Sequence, residues 1–357
     1  QANAYRASTA LVNEMNKQFT TESNAFVSSL RDILDDLTES EKRALTAGKY
    51  NTDRLKDFKQ AFDDWYASIA VSLPDLFVAS AAAYVAIESG FIAKIYDGVA
   101  DITADKVVDR FKTTPVASGA LFNELFKDLA QSARNQALYA IREGINSGLT
   151  NQEIIAELRG KRTKVGDKYI YVGGIVEQAK NKIEANVRTA RSALANAAYN
   201  DTFTALGYEY VKFISTLDGR TTLICASLSN NVYKMSEPHP TPALHFSCRS
   251  ILVGVDKDGN IAGKRPFVAA DKPLSKIPKD ERGEVTGQVS ANTKFPSWFA
   301  NQDAKFQKEW LCDTRYNLYK QGNYTIDKFV DPLGKEYTLK ELQERDQEIF
   351  KKLGLNG

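Results

Sequence analysis

The chain has 357 residues, of which 43% are hydrophobic, and it carries 47 Lys and Arg residues against 45 Asp and Glu residues. This apolar fraction is enough to bury a core, and the net charge of +2 excludes a strongly basic, histone-like nucleic-acid binder but not a local basic surface. Three cysteines in a chain of this length exclude a disulfide scaffold and fit synthesis in a reducing compartment.

The N-terminal residues mix alanine with polar residues and show no signal-peptide pattern. The longest uncharged apolar run extends from about Leu76 to Ile87. It is shorter than the roughly 18–20 residues that a membrane-spanning helix needs. We therefore expect a buried helix there and no transmembrane segment.

Apolar residues recur at helical spacing through most of residues 1–206, which we interpret as a helical body. The clearest stripe runs from Leu121 to Ile145, and Ser147-Gly148 is expected to end this helix because glycine adopts the left-handed conformation without steric cost. A second stripe, Leu55 to Ile69, is expected to close at Pro74. Three capping boxes predict helix starts at Thr38 with Glu41, Thr150 with Glu153 and Thr338 with Glu341.

Residues 161–174 interrupt the helical pattern and predict a short β-hairpin inserted into the helical body. Basic and aromatic residues are interleaved in it, namely Lys161, Arg162, Lys164, Lys168, Tyr169 and Tyr171. An ordinary solvated hairpin is one interpretation. Contact with a nucleic-acid backbone is the other, since basic and aromatic side chains together suit that role.

The pattern changes after Gly207. Residues 208–214 and 250–255 are expected to form strands of a small mixed domain over residues 207–255. Residues 256–292 are polar and predict an extended arm or linker, and residues 293–357 predict a C-terminal helical segment. The expected fold class is therefore mainly α with a small α+β domain: an elongated helical body, short antiparallel strands around a loop-rich Cys/His motif, and C-terminal helices.

Both histidines and two cysteines of the chain fall between Ser215 and Leu252. A structural zinc ion normally takes four Cys or His ligands, and the only complete set here is Cys225, His239, His245 and Cys248. The alternative is that the two cysteines are small buried residues without a metal. Asp218 and Arg220 lie in the same segment, where they either tie loops together through ion pairs or form part of a catalytic cleft, and Arg249 is expected to tie loops in the same way.

A family resemblance rests on this segment. The chain has a Thr-x-Asp-x-Arg-Thr string, a cysteine soon after it, a proline-rich stretch and a terminal His-x-x-Cys-Arg. The residues concerned are Thr216, Asp218, Arg220, Thr221, Cys225, His245, Cys248 and Arg249. This pattern resembles the Mu-F-like phage head-morphogenesis family, over roughly residues 120–345. Many relatives carry further cysteines where this chain has Thr221 or Thr222 and Ser250.

The resemblance implies a low-copy structural protein of a tailed-phage head, made in the host cytoplasm and incorporated in the virion during assembly. Its implied partners are the portal protein, the major capsid protein, or both, with packaged DNA as a further contact. We expect no small-molecule substrate and no cofactor other than the zinc considered above.

Two other functions stay open at this point. The first is a Cys/His-dependent enzyme, nuclease-like or protease-like, in which Cys225 is the nucleophile and His245 the base. The second is a DNA-binding module that uses the hairpin and residues 256–282. We expect no enzyme, because no third orienting residue and no Gly-rich phosphate loop accompany the Cys/His pair.

Overall fold

The computed structural model describes residues 2–165, 168–332 and 334–355. It is mainly helical, with a few short antiparallel strands, as predicted. The chain divides into two compact units. The first is built mainly from Gln1–Asp97 and Ile102–Ala198, and the second mainly from Tyr199–Leu244 and Cys248–Gly357.

The first unit is a set of packed helices with one hairpin. Its helices are α1 (Ala2–Asp36), α2 (Glu39–Thr46), α3 (Asp53–Ala67), α4 (Leu73–Ile95), α5 (Ala104–Thr113), α6 (Phe122–Asn146) and α7 (Asn151–Arg159). The next helix, α8 (Ile175–Ala205), begins in the first unit and ends in the second. Buried aromatic rings fill the space between α1 and α3: the Phe26 and Trp65 rings stack with centroids 4.3 Å apart, and Phe26 meets Phe62 edge-on at 4.9 Å. The Trp65 indole N–H donates to Ser23 Oγ at 3.0 Å, which satisfies the buried donor.

The local signals of the sequence are confirmed at the helix ends. All three capping boxes are present, and α6 covers the predicted Leu121–Ile145 stripe within one residue at each end.

The helical path does not end at Pro74, where the sequence predicted that it would close. A π-turn at Ser68–Ser72 carries the chain from α3 into α4, where Pro74 occupies the first turn and needs no intrahelical N–H partner.

The predicted hairpin is present as β1 (Gly160–Val165) and β2 (Lys168–Gly173), paired antiparallel. Its base depends on glycine. A Cβ on Gly160, whose φ is +91°, would lie 2.5 Å from the Val172 carbonyl oxygen, and a Cβ on Gly174 would lie 2.2 Å from the Gly160 nitrogen. Only glycine lets the two chain segments approach this closely where the hairpin leaves α7.

The second unit contains a three-stranded antiparallel sheet, in the order β4–β3–β5, and a separate two-stranded sheet. Its strands are β3 (Tyr210–Ile214), β4 (Val232–Lys234), β5 (Ile251–Val255), β6 (Lys264–Val268) and β7 (Thr286–Ser290). β3 and β5 are the two predicted strands, and they pair directly, with Phe213 opposite Leu252. The segment 256–292, predicted as an extended arm, contains the paired strands β6 and β7.

Short helices complete the second unit. They are α9 (Leu223–Ser227), α10 (Arg282–Val285), α11 (Phe295–Ala300), α12 (Ala304–Gln321), α13 (Leu339–Arg345) and α14 (Gln347–Leu353). α12 is interrupted at the exposed Cys312, whose φ is +58°. The core of the unit joins aromatic residues of α11 and α12 to Leu217, Leu223 and Ala226, so the motif segment packs directly on the C-terminal helices.

One helical stretch, Asp53–Ile95, is long and apolar enough to cross a membrane by length and composition. Of its most apolar 18-residue window, 44% is buried inside the protein. A helix in the core of a globular protein can have the same length and composition. In this stretch, the side chains of Phe77, Ala81 and Val85 are each at most 1% exposed.

Candidate functional site

The polar residues of the motif form one interlocked group around Asp218, which is only 5% exposed. The Arg249 guanidinium pairs with both carboxylate oxygens of Asp218, and its Nη2 donates to Oδ1 at 2.8 Å. The backbone N–H of Arg220 donates to the same Oδ1 at 3.0 Å, and the Arg220 Nη2 lies 3.7 Å from Oδ2. One carboxylate therefore joins the start of the motif to its end, 31 residues later.

Electrostatics keep this carboxylate ionised. Burial by itself would raise the pKa of Asp218, but the hydrogen bonds and positive charge of Arg249, together with those of Arg220, outweigh it and hold the pKa below its ordinary value. The result is a charge-assisted, bidentate pair of the kind for which the planar guanidinium is suited.

Thr216 and Thr221 brace the same turn. The Thr221 hydroxyl donates to the Thr216 carbonyl at 2.8 Å, and the two hydroxyl oxygens are 2.8 Å apart. The indole N–H of Trp310 on α12 donates to the Thr221 carbonyl at 2.9 Å. A Cβ on Gly219 would lie 2.8 Å from the Ala270 carbonyl oxygen, so the turn also needs a glycine at its tip.

Two cations that the sequence analysis did not single out support this region, one half-buried and one buried. Arg265 on β6 donates to the Ser215 carbonyl and, through Nη1 at 3.0 Å, to Asn230 Oδ1. Burial lowers the pKa of Arg265 to about 10. Lys212 on β3 is 5% exposed and donates to the Gly259 carbonyl and to Asn292 Oδ1, both at 2.9 Å. Lys212 gave no signal because alternation with Val211 and Phe213 assigns its position to solvent. Arg265 gave none because it lies in the polar segment that was predicted as an arm.

The two motif cysteines lie side by side in the interior. The sulfur atoms of Cys225 and Cys248 are 3.8 Å apart, and the residues are 2% and 4% exposed. Thr222 caps α9 by accepting a hydrogen bond from the Cys225 N–H, which fixes the cysteine in the first turn. The hydrogen bond with Cys248, and then burial, raise the pKa of the Cys225 thiol well above its ordinary value.

The four residues that the sequence suggested as metal ligands do not all come together. Cys225 and Cys248 lie side by side, and the Nδ1 of His245 is 2.9 Å from the Phe246 carbonyl oxygen. His239 is not grouped with the two cysteines. Its ring stacks on Tyr233, with centroids 6.1 Å apart, and its Nδ1 is 2.9 Å from the Glu237 carbonyl oxygen.

A cavity of about 760 Å³ opens beside α9. Its walls are partly apolar, with Ile224, Leu228, Val330 and Leu342, and Asp327 and Asp346 are among its polar residues. Asp218, Arg249 and the two motif cysteines are not among the lining residues that the structure describes. The interlocked polar group is thus turned inward on the motif rather than toward this cavity.

The basic residues of the hairpin divide between its two faces. The register pairs Arg162 with Tyr171 and position 164 with position 169, whereas Lys161 pairs with Val172. Because side chains alternate along a strand, positions 162, 164 and 171 share one face, and the side chains of Lys168 and Tyr169 are outside the part that the structure describes. Lys161 and Val172 lie on the other face, where they line a shallow pocket with Glu153 and Glu157 of α7. Arg162, Lys164 and Tyr171 are exposed.

These features define a mainly helical protein with a small sheet domain, which is held by a buried Asp/Arg group and contains two buried cysteines side by side. Residues 135–253, about a third of the chain, match the family model described as Phage Mu protein F like protein. The resemblance drawn from the motif is therefore confirmed for this region, which contains every motif residue from Thr216 to Arg249. This match supports a phage head-related protein associated with the virion. No curated protein and no solved structure gives a significant match to the chain.

Proposed function

We propose that this protein is a structural minor head protein of a tailed phage, which joins the head in the host cytoplasm and docks on the portal or on the inner face of the capsid. The observation that carries the proposal is the family match over residues 135–253. The matched segment includes α8 and the whole interlocked motif, so the similarity extends over a folded region and not only over a short string.

The way the motif uses its polar groups supports a structural role. Asp218, Arg249 and Thr221 are engaged with one another or with neighbouring backbone groups. Arrangements of this kind fix loop geometry, whereas a catalytic group must present its reactive atom to a substrate.

The burial and the pKa of Cys225 also argue against its being a catalytic nucleophile. A cysteine nucleophile reacts as the thiolate, and reactive cysteines have a lowered pKa and partial exposure. Cys225 is 2% exposed and its pKa is raised, so the neutral thiol is strongly favoured.

The test is quantitative mass spectrometry of purified phage particles, together with co-purification of the tagged chain with the portal protein. We expect far fewer copies than of the major capsid protein, and retention with portal rings. Particles that lack the chain, combined with no retention on portal or capsid protein, would contradict the proposal.

A second function, contact with DNA, is favoured by the register of the hairpin. The face that carries Arg162 and Lys164 also carries Tyr171, and it is opposite to the face that lies over α7. Exposed cations neutralise phosphates, and an exposed aromatic ring adds a stacking surface.

This function predicts salt-dependent binding of double-stranded DNA by the full chain. The double variant Arg162→Ala with Lys164→Ala should lower the slope of log K against log salt by roughly 2. The matched control is Lys161→Ala, on the other face, which should leave the slope nearly unchanged. Equal effects of the two changes would contradict a specific binding face.

A further inference from the structure

We propose that the exposed face of α4 binds the same face of a second copy of this chain, with the two helices antiparallel. The row of exposed residues along the middle of this face, all in the first unit, is Asp75, Ala79, Ala83, Ala86, Gly90 and Lys94. The proposal rests on this row and its neighbours within α4, and it is independent of the proposed function.

The first observation is that α4 is apolar on both sides. Its core-facing side is buried, and Val85 on that side is 0% exposed. Between Asp75 and Lys94 the sequence has one charged residue, Glu88, which is buried, whereas Ile87 beside the row is 42% exposed. A helix that is apolar all round is normally buried on every side, and a contiguous exposed apolar surface marks an interaction site. We therefore expect a partner to cover the outer side of α4.

The second observation is the symmetry of the row, which points to a second copy as that partner. Its residues recur at the same helical intervals in both directions along the chain. A two-fold axis through the centre of the row therefore pairs Asp75 with Lys94, Ala79 with Gly90 and Ala83 with Ala86, each residue with its counterpart on the other copy. A two-fold interface needs a self-complementary surface of this kind, because the same patch serves both copies.

The charges at the two ends of the row select the antiparallel direction. Among the residues that the structure describes, neither Asp75 nor Lys94 has an ion-pair partner. Roughly 28 Å of helix separates them, at about 1.5 Å per residue. Two antiparallel copies place each carboxylate beside an ammonium group, whereas parallel copies in register place like charges together, which is unfavourable.

The small residues between these charges allow the two helices to approach closely. The distance between packed helix axes is about 8–10 Å and depends on the side chains at the contact, so alanine and glycine favour the shorter end of this range. The space in front of the row is open: a Cβ on Gly90 would meet no atom within 4 Å. The exposed Ile87 lies beside the row and adds apolar area to the contact.

The contact is narrow, so the dimer is expected to be weak. A strip of roughly 28 Å by 10 Å on each copy is well below the area of a standard protein interface, which is about 800 Å² per partner. We therefore expect a dissociation constant on the order of 10–100 μM.

The experiment is sedimentation velocity on the full chain, in a concentration series that reaches about ten times this constant. The wild type should shift from the monomer mass to the dimer mass. Ala83→Arg, at the centre of the row, should raise the dissociation constant about tenfold or more. The matched control is Ala156→Arg, at an exposed position on α7, which should leave the constant unchanged. Both positions are exposed, and circular dichroism checks that each variant is folded.

A charge exchange tests the antiparallel direction. Asp75→Lys and Lys94→Asp each place like charges together and should weaken the dimer, while the double variant should restore it. Lys127→Asp makes the same charge change at an exposed position on α6 and should have no effect. A wild type that stays monomeric throughout, full dimerisation of Ala83→Arg, or no rescue by the double variant would overturn the proposal. Monomeric wild type that binds phosphatidylcholine vesicles, with binding lost in Ala83→Arg, would overturn it in favour of a lipid surface.

Discussion

Arg249 pairs with both carboxylate oxygens of Asp218 and so closes a loop of 31 residues with a single ion pair. The Asp218 side chain is 8% exposed and that of Arg249 is 32% exposed. The pair is therefore shielded enough for its charges to interact strongly, and loss of one partner leaves the other without compensation.

The first prediction concerns this pair. Asp218→Asn should lower the free energy of unfolding by about 3 kcal/mol, at the low end for a buried pair because Arg249 is partly exposed. Urea unfolding followed by circular dichroism measures it. Asp53→Asn, which breaks an exposed pair with Lys56, is the control and should change the unfolding free energy far less.

The same variant has a defined pH dependence. The pKa of Asp218 is lower in the folded chain than in the unfolded chain, so its contribution is complete above the unfolded value and is lost as the pH falls through the folded value. The stability difference between wild type and Asp218→Asn should therefore shrink below about pH 4. A difference that stays constant from pH 7 to pH 3 would show that the ionised carboxylate is not what stabilises the motif.

The second prediction concerns the half-buried guanidinium of Arg265. Arg265→Ala leaves the Ser215 carbonyl and the Asn230 side chain without this donor, and it should cost about 2 kcal/mol in unfolding free energy. Thermal and urea unfolding both report it. Lys264→Ala, at the exposed neighbouring position on β6, should be nearly neutral. Equal losses from the two changes would mean that the strand matters and the guanidinium does not.

The third prediction compares two tryptophans in one core. Trp310 donates to the Thr221 carbonyl and packs with its ring centroid 4.7 Å from that of Phe299. The Trp298 indole N–H is buried and has no hydrogen-bond partner among the described residues. Trp310→Phe should therefore lower stability by about 1 kcal/mol more than Trp298→Phe does, because only the first change removes a formed hydrogen bond. A larger loss for Trp298→Phe contradicts this account of the motif.

The fourth prediction concerns the base of the hairpin. Gly174→Ala places a Cβ 2.2 Å from backbone atoms of Arg159 and Gly160, so the base of β1 and β2 must open. Trypsin should then cut faster at Lys161, Arg162 or Lys164 than in the wild type. Gly90→Ala is the control: no atom lies within 4 Å of the added Cβ, and alanine favours the helix by up to about 1 kcal/mol. Unchanged trypsin cleavage of Gly174→Ala would show that the close approach is not required.

The sequence by itself determined the local structure of this protein and the family resemblance of its central region. Helical stripes, the Thr38, Thr150 and Thr338 capping boxes, the hairpin and the two strands β3 and β5 follow from interactions between residues close in the chain, and these signals do not depend on the rest of the fold. The string from Thr216 to Arg249 indicated the family whose model matches residues 135–253 in the same way, because its residue types and spacing are directly readable.

Only the tertiary structure decided which of those residues meet. Asp218 pairs with Arg249 across 31 residues, Arg265 donates to the Ser215 carbonyl across 50, and Cys225 lies beside Cys248 while His239 stacks on Tyr233. The strands β6 and β7 pair within a segment whose polar composition predicted an arm, and Lys212 is buried at a position that alternation assigns to solvent. Each of these outcomes depends on how distant segments pack, and spacing along a single chain does not encode which buried polar group will lie opposite another.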